Sequence, residues 1–112
     1  MSASESEALT RRESHPDVMR SAFVRVIEKL RLGEVVSYGD VARRAGFANR
    51  HRAVGKLLAS SMDALPWWRV VYSSGHLPPC NPTLQEERLT AEGVTLVKLK
   101  VVRAPYGRFS ST

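Results

Sequence analysis

Only one of the 112 residues is a cysteine. Cys80 alone can neither close an internal disulfide nor build a multi-cysteine zinc site, so a disulfide scaffold is excluded and a reducing, cytoplasmic setting is expected. Long apolar runs are missing as well. None approaches the roughly 20 residues needed to cross a bilayer. The opening Met1-Ser-Ala-Ser-Glu-Ser-Glu7 has no basic segment followed by an apolar one, so neither a membrane anchor nor a secretory leader is expected. No internal repeat is present, and the length suits one small domain rather than two. Acid is scarce in one place only: residues 41–71 hold 6 basic side chains against 1 acidic one, a net +5, whereas residues 1–40 sum to −1 and residues 72–112 to +2. A basic patch so localised is the footprint of a polyanion partner, or else a solvated face with no partner.

What is present is ordinary globular material, with 43% hydrophobic and 25% charged residues. The spacing predicts a flexible tail over residues 1–13, a folded domain over 14–102 and a flexible basic tail over 103–112. Ser14-His15-Pro16-Asp17 combines a hydroxyl cap, an early proline and an acid, and predicts a helix start. Val18, Met19, Ala22, Phe23, Val26, Ile27 and Leu30 recur at steps of three and four and form its buried stripe, with Gly33 as the stop. Glu34-Val35-Val36 reads as no more than a strand fragment. Ser37-Tyr38-Gly39-Asp40 is a second capping box, opening a helix that buries Val41, Ala42 and Ala45 and ends at Gly46.

Asn49 is the expected cap of a third helix, in which Ala53, Val54, Leu57 and Leu58 face inward and Arg52, Lys56 and Ser60 share another face. Two short helices around a tight turn make a helix-turn-helix, the second member meeting nucleic acid. Trp68–Tyr72 and His76-Leu77 around Ser73-Ser74-Gly75 predict a short hairpin, or wing. Thr83-Leu84-Gln85-Glu86 is a third capping box, for a helix ending at Gly93, and Val94–Val102 reads as one further strand. The expected fold class is therefore an α-rich α+β domain, a single winged helix-turn-helix.

Four blocks now stand in order: Gly33-Glu-Val-Val-Ser-Tyr-Gly-Asp40, Arg52-Ala-Val-Gly55, Pro66-Trp-Trp-Arg-Val-Val71 and Ser73-Ser-Gly75. Together they resemble the DNA-binding domain of O6-alkylguanine-DNA alkyltransferases, over roughly residues 16–97. In that family a Pro-Cys-His-Arg motif supplies the cysteine that accepts the alkyl group, and Trp67 occupies that position here. The resemblance is then to alkyltransferase-like proteins, which share the fold without the transfer activity. An indole has no nucleophilic atom comparable to a thiolate. Trp68 stands where the family carries the activating histidine, and Glu92 matches the glutamate that orients it, which leaves Glu92 as a structural acceptor for the Trp68 indole N–H. Cys80 reads as an inert loop thiol.

The resemblance also implies roles for other residues. Tyr38 presses on the phosphate beside the target nucleotide, with Ser37 in the same block. Arg52 enters the duplex, fills the gap left by the extruded base and bonds the orphaned cytosine. Arg43, Arg44 and Lys56 are candidates for phosphate contacts. Trp67, Tyr38, Arg69 and Ser61 are expected to line the lesion pocket, where an aromatic surface replaces lost stacking. Arg69 has a second reading as an ion-pair partner of Glu92. Gly55 is expected to let its helix pack closely, and Trp68 and Glu92 to act as supports.

The implied function is binding of O6-alkylguanine in double-stranded DNA through the minor groove, by flipping and without repair. The implied partners are the damage-recognition proteins of nucleotide excision repair. No cofactor, metal or membrane is expected, and the protein is expected to be a monomer. A sequence-specific winged-helix regulator would account for the basic helix and wing, but not for Tyr38, the Arg52 block and Pro66-Trp67 together.

Overall fold

The computed structural model describes residues 16–60 and 65–110. The Ser14 cap, the tail over residues 1–13 and Ser61 lie outside them. Helix α1 (Pro16–Glu28) buries Phe23 and Ile27 completely, as its spacing predicts, while Val18 at one end of the stripe is 41% exposed.

Strand β1 (Glu34–Ser37) is more than a fragment: it is the centre of a three-stranded parallel sheet, flanked by β2 (Val70–Val71) and β5 (Tyr106–Gly107). Val36 pairs with Val70, and Val35 with Gly107. All four residues of β1 are buried, because side chains alternate across the sheet and both faces are covered. Val36 joins Phe23, Ile27, Val54 and Leu57 in one core, and Val35 joins Val71, Leu89 and Val101 in a second.

Helix α2 (Tyr38–Arg44) starts on a complete capping box: Ser37 Oγ accepts from the Asp40 amide at 3.0 Å, and Asp40 Oδ2 accepts from the Ser37 amide at 2.9 Å. Helix α3 (His51–Ser60) packs against it as the second member of the helix-turn-helix. Asn49 is not its cap. Asn49 takes a left-handed φ of 73° in the turn, a conformation asparagine tolerates, and the Arg50 carbonyl accepts from the Ala53 and Val54 amides instead.

Trp67–Arg69 forms a 3-10 turn, so the two tryptophans do not alternate as they would in a strand; their rings meet edge to face with centroids 6.1 Å apart. The expected wing at 68–77 is also absent in that form. The 73–75 turn closes, with Tyr72 N donating to His76 O, but Val70 and Val71 pair in parallel with β1, and His76 bridges Lys100. The antiparallel hairpin lies further on, where the expected single strand 94–102 splits into β3 (Thr95–Val97) and β4 (Lys100–Arg103). Lys98 and Leu99 turn it with φ of 52° and 60°. Helix α4 (Pro82–Ala91) begins one residue before Thr83, which is therefore not a cap; Gln85 is buried and its side-chain amide donates to the Trp68 and Val70 carbonyls, both at 3.1 Å.

The flexible tail expected over 103–112 is built into the fold through residue 110. Tyr106 N donates to Gly33 O at 3.1 Å and Arg108 N to Val35 O at 2.9 Å, while Ala104 is buried in the second core. The described residues thus form a small α+β domain with four α-helices and one short antiparallel hairpin.

Candidate nucleic-acid interface

A cleft of about 800 Å³ opens between the start of α2, the first turns of α3 and the loop that carries Pro78 to Cys80. Ser37, Tyr38, Arg43, Arg52 and Gly55 line it, so five of the residues singled out from the sequence converge although they come from two helices and a strand end. The cap geometry sets Tyr38 as the first residue of α2, and Arg52 is the second residue of α3, exposed beside it. Guanidinium groups of Arg43, Arg52 and Arg108 dominate the charge of the lining, which includes no carboxylate. Such a cleft concentrates phosphate.

Tyr38 is half-buried and stacks obliquely on Tyr72, ring centroids 5.7 Å apart. Burial pushes its phenol well above the ordinary value, with Tyr72 and Cys80 adding to the effect. The hydroxyl therefore stays protonated and can donate to a phosphate or base oxygen at any ordinary pH.

Other expected residues sit elsewhere. Trp67 is 8% exposed and belongs to the first core; with Tyr38, Gly55, Cys80 and Gln85 it lines a recess of about 40 Å³ behind the cleft, room for a few water molecules at most. Trp67, expected to line the lesion pocket, is thus part of a packed floor, and the open space is in front of Tyr38. Arg69 is not in the cleft lining. It faces Glu92 instead, Nη2 to Oε2 at 2.8 Å and Nε to Oε1 at 3.0 Å, and gives its Nη1 to the Leu30 carbonyl.

Arg44 pairs with Glu34 at 3.1 Å, and Lys56 borders a separate crevice between α1 and α3 with Asp17, Arg20 and Phe23. Gly55 does not serve close packing: a Cβ built there meets nothing within 4 Å, and the bare helix backbone faces the cleft. The helix side that sequence spacing assigned to Arg52 and Lys56 jointly is divided by the packing of α1 against α3.

Glu92 is the hub beneath the site. Its carboxylate accepts from the Trp68 indole at 2.7 Å, from the Gly33 amide at 2.7 Å and from Arg69. Burial alone would raise its pKa, but the bonds from Arg69, Gly33 and Trp68 outweigh that and hold it below the usual carboxylate range. Asp40, between Ser37, Arg43 and Arg108, and Glu34, between Arg31 and Arg44, are lowered against burial in the same way.

All three carboxylates bind protons less readily folded than unfolded, so the stability they lend is complete above the ordinary values of 3.8 and 4.5 and is lost as pH falls through the lower folded ones. The unfolding temperature should accordingly hold steady through neutral pH and drop with acidification below about pH 4.5. A transition unchanged down to about pH 2 would show that these groups are not preferentially ionised in the fold.

Tyr72, Arg108, His51 and Cys80 also line the cleft and were not singled out as site residues by sequence. Tyr72 carried a usable signal, an aromatic beside the Ser73-Ser74-Gly75 block. Arg108 carried none, since its placement depends on a strand pairing across 70 residues of chain.

Comparison with known proteins accords with this geometry. Residues 19–94 match the DNA-binding domain of 6-O-methylguanine DNA methyltransferase. A DNA base-flipping protein of Vibrio parahaemolyticus is 35% identical over 78 residues, covering 66% of this chain and 78% of that protein. One from Escherichia coli is 44% identical over 66 residues, covering 55% of this chain and 51% of its own, so the chain spans about half the length of that relative.

Among solved structures, S. pombe Atl1 in complex with damaged DNA containing O6-carboxymethylguanine superposes with a TM-score of 0.66 at 26% identity, over 76% of this chain and 86% of that one. S. pombe ATL in complex with DNA gives 0.65 at 25% identity, over the same shares. A match that runs from α1 to the end of α4 and contains Ser37, Tyr38, Arg43, Arg52 and Gly55 means that this chain belongs to the 6-O-methylguanine DNA methyltransferase DNA-binding domain family, with the alkyltransferase-like base-flipping proteins as its relatives.

Proposed function

We propose that this protein binds O6-alkylguanine in duplex DNA, turns the nucleotide out of the helix and leaves the alkyl group in place. The observation that carries the reading is the meeting of Tyr38 and Arg52 at one arginine-lined cleft, with Trp67 behind it at the position that the resemblance assigns to the acceptor cysteine. The guanidinium groups draw the phosphate backbone in. Helix α3 docks in the minor groove, the protonated Tyr38 hydroxyl bears on the phosphate beside the target, and Arg52 fills the gap in the stack.

The absence of transfer follows from the same residues. Trp67 offers no thiolate, the Trp68 N–H is committed to Glu92, and Glu92 is held as an ionised acceptor by Arg69. A nucleophile, a base and an orienter are all needed for activated attack; Trp67 and Trp68 supply neither of the first two, which leaves Glu92 with no base to orient. Cys80 is exposed at the rim with no hydrogen-bonded base among the described residues. Since a lesion bound but not repaired must be passed on, the damage-recognition proteins of nucleotide excision repair are the partners this reading requires. The names of the relatives and the damaged-DNA complex of Atl1 support the base-flipping and lesion-binding part of this reading.

The test is incubation with a duplex carrying O6-methylguanine. Tight binding should be accompanied by an unchanged protein mass and an unchanged modified base. A stoichiometric gain of one methyl group would overturn the non-enzymatic reading, and equal affinity for modified and unmodified duplex would overturn lesion recognition.

A further inference from the structure

The last turn among the described residues lies beyond the 19–94 segment that matches the family, yet its Arg108 lines the cleft. Tyr106, Gly107 and Arg108 each hold it there. The Arg31 guanidinium sits 3.9 Å from the centroid of the Tyr106 ring, a cation–π contact. At Gly107 the backbone takes a φ of 89° and runs so close to β1 that a Cβ would collide with the Val35 carbonyl oxygen. Arg108 then turns toward α2, donating from its backbone to Val35 O at 2.9 Å, from Nη1 to Asp40 Oδ1 at 3.1 Å and from Nε to Ser73 O at 3.2 Å.

Asp40 is 5% exposed, and its Oδ1 also accepts from Arg43 Nη2 at 2.6 Å. One carboxylate therefore aligns two guanidinium groups at the cleft wall and can neutralise only one of them. The uncompensated charge faces the cleft, where Arg52 lies too. Geometry of this kind presents a fork of donors to a phosphate, since the planar guanidinium is already oriented before a ligand arrives.

We propose that Arg108 is a backbone-phosphate contact of the bound duplex, delivered to the cleft by β5, with Asp40 as its positioning residue. The proposal rests on the DNA-binding reading above and extends the footprint to a segment outside the shared domain. It assigns Arg108 no part in recognising the lesion: a phosphate contact is made to modified and unmodified duplex alike.

Each phosphate contact contributes about 0.9 to the slope of log affinity against log salt, so one contact corresponds to about a 3–4-fold change in affinity between 50 and 200 mM salt. Titrations of the full chain with unmodified and O6-methylguanine duplexes across that range should show Arg108→Gln losing about one unit of slope on both, while Arg108→Lys, which keeps the charge, retains it. Gly107→Ala, which displaces β5 but leaves Arg108 in the chain, should lose the same slope.

An Arg108→Gln slope equal to that of the parent, in protein shown to be folded by its thermal transition, would overturn the phosphate contact. A full slope in Gly107→Ala would overturn its delivery by β5. The unmodified duplex alone decides both points, so a parent protein without lesion preference would defeat the base-flipping reading and leave the Arg108 result standing.

Discussion

Replacement of Glu92 by alanine should lower the unfolding free energy by about 3–5 kcal/mol, the range for removing one member of a buried ion pair and stranding the other. Arg69 and Glu92 are only 14% and 8% exposed as side chains, so water cannot take over the role of either. The loss is wider than one pair. The same carboxylate satisfies the Trp68 indole and the Gly33 amide, and thereby ties the entry to β1, the 3-10 turn before β2 and the end of α4 to one point. Urea unfolding monitored by tryptophan fluorescence measures the change directly, because Trp68 is bonded to the altered group. A loss under about 1 kcal/mol would mean that the interaction is no stronger than a surface pair. Glu92→Gln should fall between, since the amide preserves shape and one acceptor but places a donor against the Arg69 guanidinium.

Arg52→Ala should cost about 1–3 kcal/mol of binding to O6-methylguanine duplex, roughly 5- to 150-fold in affinity, and clearly less on unmodified duplex. The difference arises because a side chain that occupies the gap left by an extruded base interacts with the flipped state alone. Arg52 is exposed on α3, with no hydrogen bond or ion pair among the described residues, so its loss should leave stability within about 0.5 kcal/mol. Fluorescence of 2-aminopurine placed at or beside the target should fall with it, reporting reduced extrusion. Arg43→Ala serves as the contrast: its guanidinium is ion-paired to Asp40 at the cleft wall and should affect both duplexes equally, with a shallower salt dependence. If Arg52→Ala also weakens both duplexes equally, Arg52 is a phosphate contact and the sequence-specific regulator becomes the better account.

Local chemistry was legible in the sequence. The Ser37-Asp40 box forms because the two partners are three residues apart and need nothing from the rest of the chain. The apolar steps of α1 and α3 bury Phe23, Ile27, Val54 and Leu57 because helical periodicity is itself local. The Trp68–Glu92 bond was foreseen through the family resemblance, since it links positions 24 residues apart that no periodicity connects. The convergence of Tyr38 and Arg52 was foreseen on the same ground.

Tertiary structure decided what depended on distant partners. Two residues of strand, Val70 and Val71, have no preferred direction of their own, and β1 recruited them in parallel where a local wing was expected. Lys98 and Leu99 carry no turn signal, yet pairing of β3 with β4 holds both in the left-handed region. Trp67 became core because it joins Leu58, Leu65 and Val70 in one buried cluster, and the open cleft formed in front of Tyr38 instead. The segment ending at Arg108 read as a tail because its order comes from Gly33, Val35 and Asp40, residues some 70 positions earlier. Composition and spacing determined that this chain carries a basic helix-turn-helix, and the resemblance of its four blocks to the family supplied the roles expected of Tyr38 and Arg52. Which of its cations face the cleft was settled by long-range pairing, whose energy comes from contacts that exist only once both strands are in place.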